Sequence, residues 1–300
     1  MKKMFNEIKI EGYVYSHDLK KKTVQNKDSK NFGKEFIGGK LNIATDKEGK
    51  NVVTVNYSYV TPDKKDGTTN SNYVVLDKII SHQVGNMIED GIAKAAAVRV
   101  DAVFEANDFV DKSSGEMIST FRAASSFNGG FIHLVDAVSP KATFHVDMLI
   151  NKVVEKEADE EKGLAAKVDV AGCIFDWRGA IIPAHFTVLL PAAMDYFVNL
   201  GANEHNPVFT ELQGVMENET YTVQTTKESA FGEDIVEETT RSRKQNVITW
   251  ARPEPYEWDN EATLLGSEVA TAMQNRELLL AEIASKATAA IEPKAKIYNF

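Results

Sequence analysis

The sequence holds one cysteine, Cys173, in 300 residues, so no disulfide can form within the chain and a reducing compartment, the cytoplasm, is the expected setting. Cys173 sits between Gly172 and Ile174 in an apolar stretch, which fits a packed core residue better than a nucleophile. Long hydrophobic runs are also missing. None approaches the ~18 residues of a membrane span, and Lys2 and Lys3 precede no apolar stretch, so neither a membrane helix nor a secretory signal is expected. Overall positive charge is lacking too: the net charge is -10, so any attraction for nucleic acid must come from a local patch. The six histidines (His17, His82, His133, His145, His185 and His205) are scattered, with no pair at metal-ligand spacing. No glycine-lysine-serine phosphate loop occurs, and Gly129-Gly130 alone is a turn. These absences argue against an enzyme, a metal and a cofactor.

What is present is organised around residues 8–60. A strand-like run, Ile8 to Tyr15, has Ile8 and Ile10 on one face and Lys9 and Glu11 on the other. Gly12 marks a sharp bend or bulge. A polar loop follows with Lys20, Lys21, Lys22, Lys27, Lys30 and Lys34, then strands over Phe36–Thr45 and Val52–Val60. Tyr73, Leu76, Ile80, Val84 and Met87 recur at helical spacing and predict a helix over 72–87. Strands over 97–104 and 117–123 complete the order strand, strand, strand, helix, strand, strand, that of a five-stranded Greek-key OB barrel.

The order repeats. Strands are predicted over 143–155, 164–175 and 180–190, and a helix opens at Pro191 and stops at Gly201. Strand four is read over 209–216, a tight turn at Glu217-Asn218-Glu219, and strand five over 220–226. Residues 231–250 read as an extra hairpin, acidic then basic, and residues 260–291 as a helix with Leu264, Leu265, Val269, Met273, Leu278, Leu279 and Ile283 on one broad face. The expected fold class is therefore mainly β with α: two tandem five-stranded OB-like Greek-key barrels plus a carboxy-terminal helix. The expected divisions are 1–138, 139–256 and 257–300.

A nonspecific single-strand binder needs cations to follow phosphates and aromatic faces on which bases stack. Tyr13, Tyr15, Phe32, Phe36, Tyr57 and Tyr59 lie within or beside the lysine loop, and Arg99 and Arg122 on strands four and five could complete a cationic groove. In the second half the candidates are Trp177 with Arg178, then Arg241, Arg243, Lys244, Trp250 and Arg252. A lysine-rich hairpin tip can equally be a solvated surface, and tyrosines in phase with Val53 and Val55 can equally be core.

The run Gly12-Tyr13-Val14-Tyr15-Ser16-His17, the lysine loop, Phe32-Gly33-Lys34-Glu35-Phe36-Ile37-Gly38-Gly39 and Ile43-Ala44-Thr45-Asp46 resemble the opening of single-stranded-DNA-binding proteins of tailed bacteriophages. The resemblance covers mainly residues 6–60. It implies an OB fold that coats single-stranded DNA during replication or recombination; beside single-stranded DNA, replication or recombination proteins and further copies of the chain are candidate partners. The bacterial relatives of that family end in a long acidic tail finishing in Pro-Phe. Here Lys294 to Phe300 ends in Phe but is neither long nor acidic, which argues against recruitment through the tail. The rival expectation is a viral structural or assembly protein that uses small barrels as interaction modules.

Overall fold

The computed structural model describes residues 4–125, 131–227, 231 and 235–291; the Gly129-Gly130 turn and the tail 294–300 lie outside the described residues. The chain is mostly β. Its strands are β1 (Asn6–His17), β2 (Lys20–Thr23), β3 (Glu35–Ala44), β4 (Val52–Val60), β5 (Ala97–Val110), β6 (Met117–Ala124), β7 (Ile132–Leu134), β8 (Lys141–Lys156), β9 (Lys167–Phe175), β10 (Ile181–Val188), β11 (Val208–Lys227) and β12 (Ile235–Ala251). Helix α1 (Ser71–Ile80) and the short α2 (Met87–Asp90) separate β4 from β5, α3 (Pro191–Asn199) separates β10 from β11, and α4 (Gly266–Ile291) follows β12.

The pairings form two circuits. In the first, β1 pairs with β3, β3 with β4, β4 with β6, β6 with β5 and β5 again with β1, every pair antiparallel except β4–β6. The parallel seam is narrow: Asn56 faces Ala124, and the Ser125 N–H donates to the Asn56 carbonyl at 2.9 Å. In the second circuit β8, β9, β10, β12 and β11 repeat the scheme, with Thr187 facing Val247 at the parallel seam. This is the strand order of the OB fold in both halves.

The registers coincide as well as the order. The irregularity in β1 falls between Val14 and Ser16, and that in β8 between Ile150 and Lys152. The two first strands pair with each other antiparallel, Ile8 opposite Phe144, with Asn6 against Val146 and Glu11 against Lys141. Matching the ladders puts Ile8 on Phe144 and Val14 on Ile150, so the Ile8–Phe144 pair lies on a pseudo-two-fold relating the halves. Buried residues of both circuits, among them Ile8, Ile10, Phe104, Phe144 and Phe186, form one continuous apolar cluster. Asn6 ties the halves further, its amide donating to the carbonyls of Phe104 at 3.0 Å and Phe175 at 3.2 Å.

Local chemistry explains the elements. Ile8 and Ile10 alternate with Lys9 and Glu11 because one face of β1 is buried. Gly12 is needed because a Cβ there would lie 2.1 Å from the Ala44 carbonyl oxygen, where β3 crosses β1. Asn70 caps α1 by accepting the Asn72 N–H at 3.1 Å. Cys173 is buried, and burial pushes its thiol up to about 12, as suits a packed residue.

Three predicted elements are corrected. Helix α1 ends at Ile80 rather than running on to Met87; Ser81 caps it and His82 follows at φ 53. Lys20–Thr23 is a strand, not an open loop. The turn expected at Glu217-Asn218-Glu219 does not exist: β11 runs through it, and β12, which spans nearly all of the residues read as an extra hairpin, is a single strand, the fifth of the second circuit. Part of that supposed hairpin, residues 232–234, lies outside the described residues.

Candidate nucleic-acid interface

The lysine-rich segment is an ordered hairpin. Lys20, Lys21, Lys22 and Thr23 pair with Gly38, Ile37, Phe36 and Glu35. Its tip is closed by the Val24 N–H donating to the Lys34 carbonyl and the Gly33 N–H to the Val24 carbonyl, each at 3.0 Å. Gly33 takes φ 77 there, the left-handed region that glycine enters freely. Because directly opposed residues share a face, the hairpin sorts its charges. Lys21 shares a face with Ile37 and turns toward α1, where its Nζ meets Asp77 at 2.7 Å, and that hydrogen bond holds Lys21 above the ordinary lysine range. Lys20 and Lys22 take the other face, with Phe36 opposite Lys22. The Phe36 ring lies 4.7 Å from that of Tyr59.

That outer face continues down β3 and β4. Leu41, Ile43, Val53 and Val55 point inward, which leaves Lys40, Asn42, Thr54 and Asn56 outward. A hydrogen-bonded row crosses it: the Asn42 amide donates to Ser16 Oγ at 2.9 Å and the Thr54 hydroxyl to Asn42 Oδ1 at 2.8 Å. The row ends at Lys244 of β12, whose Nζ donates to Thr54 Oγ1 at 2.7 Å. Lys40, Asn42, Thr54 and Asn56 were not singled out from the sequence. Their signal is the alternation against Leu41, Ile43, Val53 and Val55, which names the outward positions once the inward ones are known.

The remaining candidates are distributed unevenly. Lys27, Lys30, Lys34 and the half-exposed Phe32 sit at the hairpin tip. Tyr57 is corrected: it is 2 % exposed in the core, so it offers no face for stacking, and burial raises its phenol well above the ordinary range. Tyr13 and Tyr15 are half-buried on β1, and Tyr15 packs over the glycine of the β3–β4 turn, where a Cβ on Gly49 would meet its ring at 2.8 Å. Arg99 is paired with Glu11 at 3.1 Å. Arg122 lines a cavity between the halves. Trp177 is 65 % exposed with the Arg178 guanidinium 4.5 Å from its ring centre, but this pair belongs to the β9–β10 turn beside α4, away from the hairpin.

His145 meets Glu211 at 2.7 Å. His17 has a buried Nδ1 with no hydrogen-bond partner. Among the described residues no three His, Cys, Asp or Glu side chains are placed to hold a metal, and no helix is long and apolar enough to cross a membrane.

Strand order and outer face together define a two-circuit, OB-type β protein with a cationic hairpin on its first half. The chain belongs to the YorF family, whose family profile matches residues 4–286. No curated protein matches the sequence. Among solved structures, the wild-type single-stranded DNA binding protein from Thermus aquaticus is similar at 9 % identity and a TM-score of 0.47, over 88 % of this chain and 98 % of that one. A deletion mutant of the same Thermus aquaticus protein is similar at 11 % identity and a TM-score of 0.48, over 87 % of this chain and 100 % of that one.

Proposed function

We propose that the protein binds single-stranded DNA with little sequence preference, without catalysis, on the outer face of β1, β3 and β4 and the hairpin that extends it. The observation that carries this reading is the register that sets Lys22 opposite Phe36, beside Lys20 and Tyr59. Phosphates need mobile cations and bases need ring faces, and this face offers both in one strip. Lys27, Lys30, Lys34 and Phe32 at the tip extend the strip; Lys21 serves α1 instead. The resemblance of residues 6–60 to the phage proteins supports assigning the binding to phage DNA replication or recombination in the host cytoplasm.

The test is affinity for a labelled oligothymidylate across a salt series. Counterion release gives a slope of about 0.7 per phosphate contact on a single strand. Replacing both Lys20 and Lys22 by Gln is expected to weaken binding about tenfold or more at low salt and to flatten the slope by roughly 1.4, with melting unchanged. Affinity that does not vary with salt, or no binding, ends the reading.

A protein-interaction role, by self-association or with a replication or recombination partner, is favoured by one observation. Leu278 is 70 % exposed and Leu279 47 % exposed on α4. Light scattering with and without oligonucleotide separates the readings: a scaffold assembles alone, a binder only with DNA.

A further inference from the structure

The two long hairpins cross between the halves, and the two crossings differ. Matching the ladders at the parallel seams, where Asn56 faces Ala124 and Thr187 faces Val247, puts Lys244 on Phe121 and Thr54 on His185. In one crossing Phe121 of β6 reaches the second half, edge-on to the outward His185 at 5.1 Å and to the core residue Phe186 at 5.7 Å, an aromatic seal. In the other, Lys244 of β12 reaches the outer face of the first half and sets an ammonium on Thr54. Around that ammonium is a cavity of about 180 Å³, lined among others by Thr54, Asn56, Arg122, Met216 and Lys244. This is more than ten times the ~10–15 Å³ that one water needs.

We propose that this cavity is a phosphate subsite, in which Lys244 and Arg122 hold a phosphodiester of a single strand lying on the outer face of β3 and β4. The inference deepens the function proposed above and rests on it. Thr54 and Asn56 belong both to that face and to the cavity wall, so a strand following the row from Lys22 past Lys40 arrives there. Among the described residues no carboxylate is within ion-pair distance of Lys244 or Arg122. Arg122 gives one nitrogen to Asn107 at 3.1 Å, and its Nε is buried with no hydrogen-bond partner. Lys244 as a whole is exposed, but desolvation of its ammonium, then the charge of Lys40, push it below the ordinary lysine range. Two carboxylates are nearby: Glu105 stands opposite Arg122 in the ladder, and Glu217 lines the cavity and accepts from the Gln245 amide at 3.5 Å. The binding face of the first half is thus completed by a residue of the second.

The full-length chain and a labelled oligothymidylate test this. Lys244→Met is expected to lower affinity about three- to tenfold and flatten the salt slope by about 0.7, with melting unchanged or raised, and Lys244→Arg to keep the wild-type slope. Arg122→Gln is the second variant, with the same direction expected should Lys244→Met perturb the arm. If the wild type binds and the Lys20 and Lys22 double variant weakens it, yet Lys244→Met keeps the wild-type slope, the subsite is overturned while the face stands. If the wild type binds no oligonucleotide, face and subsite fall together. Inorganic phosphate separates the two sources of the group. Competition with oligonucleotide that disappears in Lys244→Met supports the strand as occupant; phosphate binding that leaves oligonucleotide affinity untouched overturns it in favour of the free ion.

Discussion

The two halves share one strand order and one register, yet the connection between first and second long strands carries opposite charge in each. In the first half it is the hairpin with Lys20, Lys22, Lys27, Lys30 and Lys34; in the second it holds Glu157, Asp159, Glu160 and Glu161. The acidic connection is also turned inward on its own half, the Thr222 N–H of β11 donating to the Lys162 carbonyl at 3.0 Å. A matched ladder position repeats the contrast: Glu11 faces Arg99 in the first half, where the second half sets Asp147 against Glu211. Core positions, by contrast, agree in kind, Ile8 with Phe144 and Val14 with Ile150, all buried. Shared packing fixes the scaffold and leaves the outward charges free to differ, so the fold alone assigns a role to neither half.

The largest expected effect concerns a buried ion pair that joins α4 to the hairpin of the first half. Arg276 of α4 reaches the β5–β6 hairpin of the first half, bonding Asp108 at 2.7 Å, Ser119 Oγ and the Ile181 carbonyl at 3.2 Å. The side chains of Arg276 and Asp108 are only 13 % and 5 % exposed. Breaking a buried pair leaves an uncompensated charge and costs about 3–5 kcal/mol. Ser119 still donates to Asp108 at 2.6 Å, so Arg276→Met is expected near the lower end of that range. Hydrogen exchange should quicken in β5 and β6 and leave β11 and β12 nearly unchanged. Equal loss in both hairpins would show that this ion pair is not specific to the first.

Next comes the division of aromatic labour within the first half. If Phe36 stacks a base, Phe36→Ala should cost about 1–3 kcal/mol of oligonucleotide affinity. Tyr57 matches Val188 of the second half, which is fully buried, so this position is core in both. Its hydroxyl is buried with no hydrogen-bond partner. Tyr57→Phe removes that unsatisfied group and should leave affinity unchanged and melting equal or higher. Weaker binding by Tyr57→Phe would contradict the core assignment.

The first circuit was legible because its strands alternate: Ile8, Ile10, Val53 and Val55 announce one buried face each, and glycines mark the corners. The same alternation already placed Tyr57 with Val53 and Val55. The β11–β12 arm was not legible for the converse reason. Past Met216 it leaves the core, so no period-two apolar signal exists, and Glu217-Asn218-Glu219 reads as a turn although the strand continues. What holds it is cross-strand pairing of β-branched and polar residues, such as Thr222 opposite Thr240 and Val223 opposite Thr239. The site suffered similarly. Six lysines could be counted, but which of them face outward depends on β2 pairing with β3. That Lys244 reaches Thr54 depends on how the halves pack, 190 residues apart in sequence.

The smallest expected effect tests the ladder position where the halves differ in charge. Asp147 is buried, accepting the Phe5 N–H at 2.8 Å, and burial raises its carboxyl above the ordinary range despite that hydrogen bond. Burial would raise Glu211 too, but hydrogen bonds from His145 at 2.7 Å and the Tyr256 hydroxyl at 3.1 Å together bring it below. The signs therefore oppose. A raised pKa contributes stability that is complete below the unfolded value and is lost as pH rises through the folded one; a lowered pKa contributes stability above the unfolded value that is lost as pH falls through the folded one. In the wild type the two partly cancel in the acidic range. Asp147→Asn removes the first and leaves the second, so the variant should gain stability relative to the wild type as pH rises from the acidic range toward neutrality. Denaturant unfolding at several pH values checks this. A stability difference independent of pH would mean that Asp147 is charged as readily in the fold as in the unfolded chain, and that the acid pair costs the second half nothing that the Glu11–Arg99 pair spares the first.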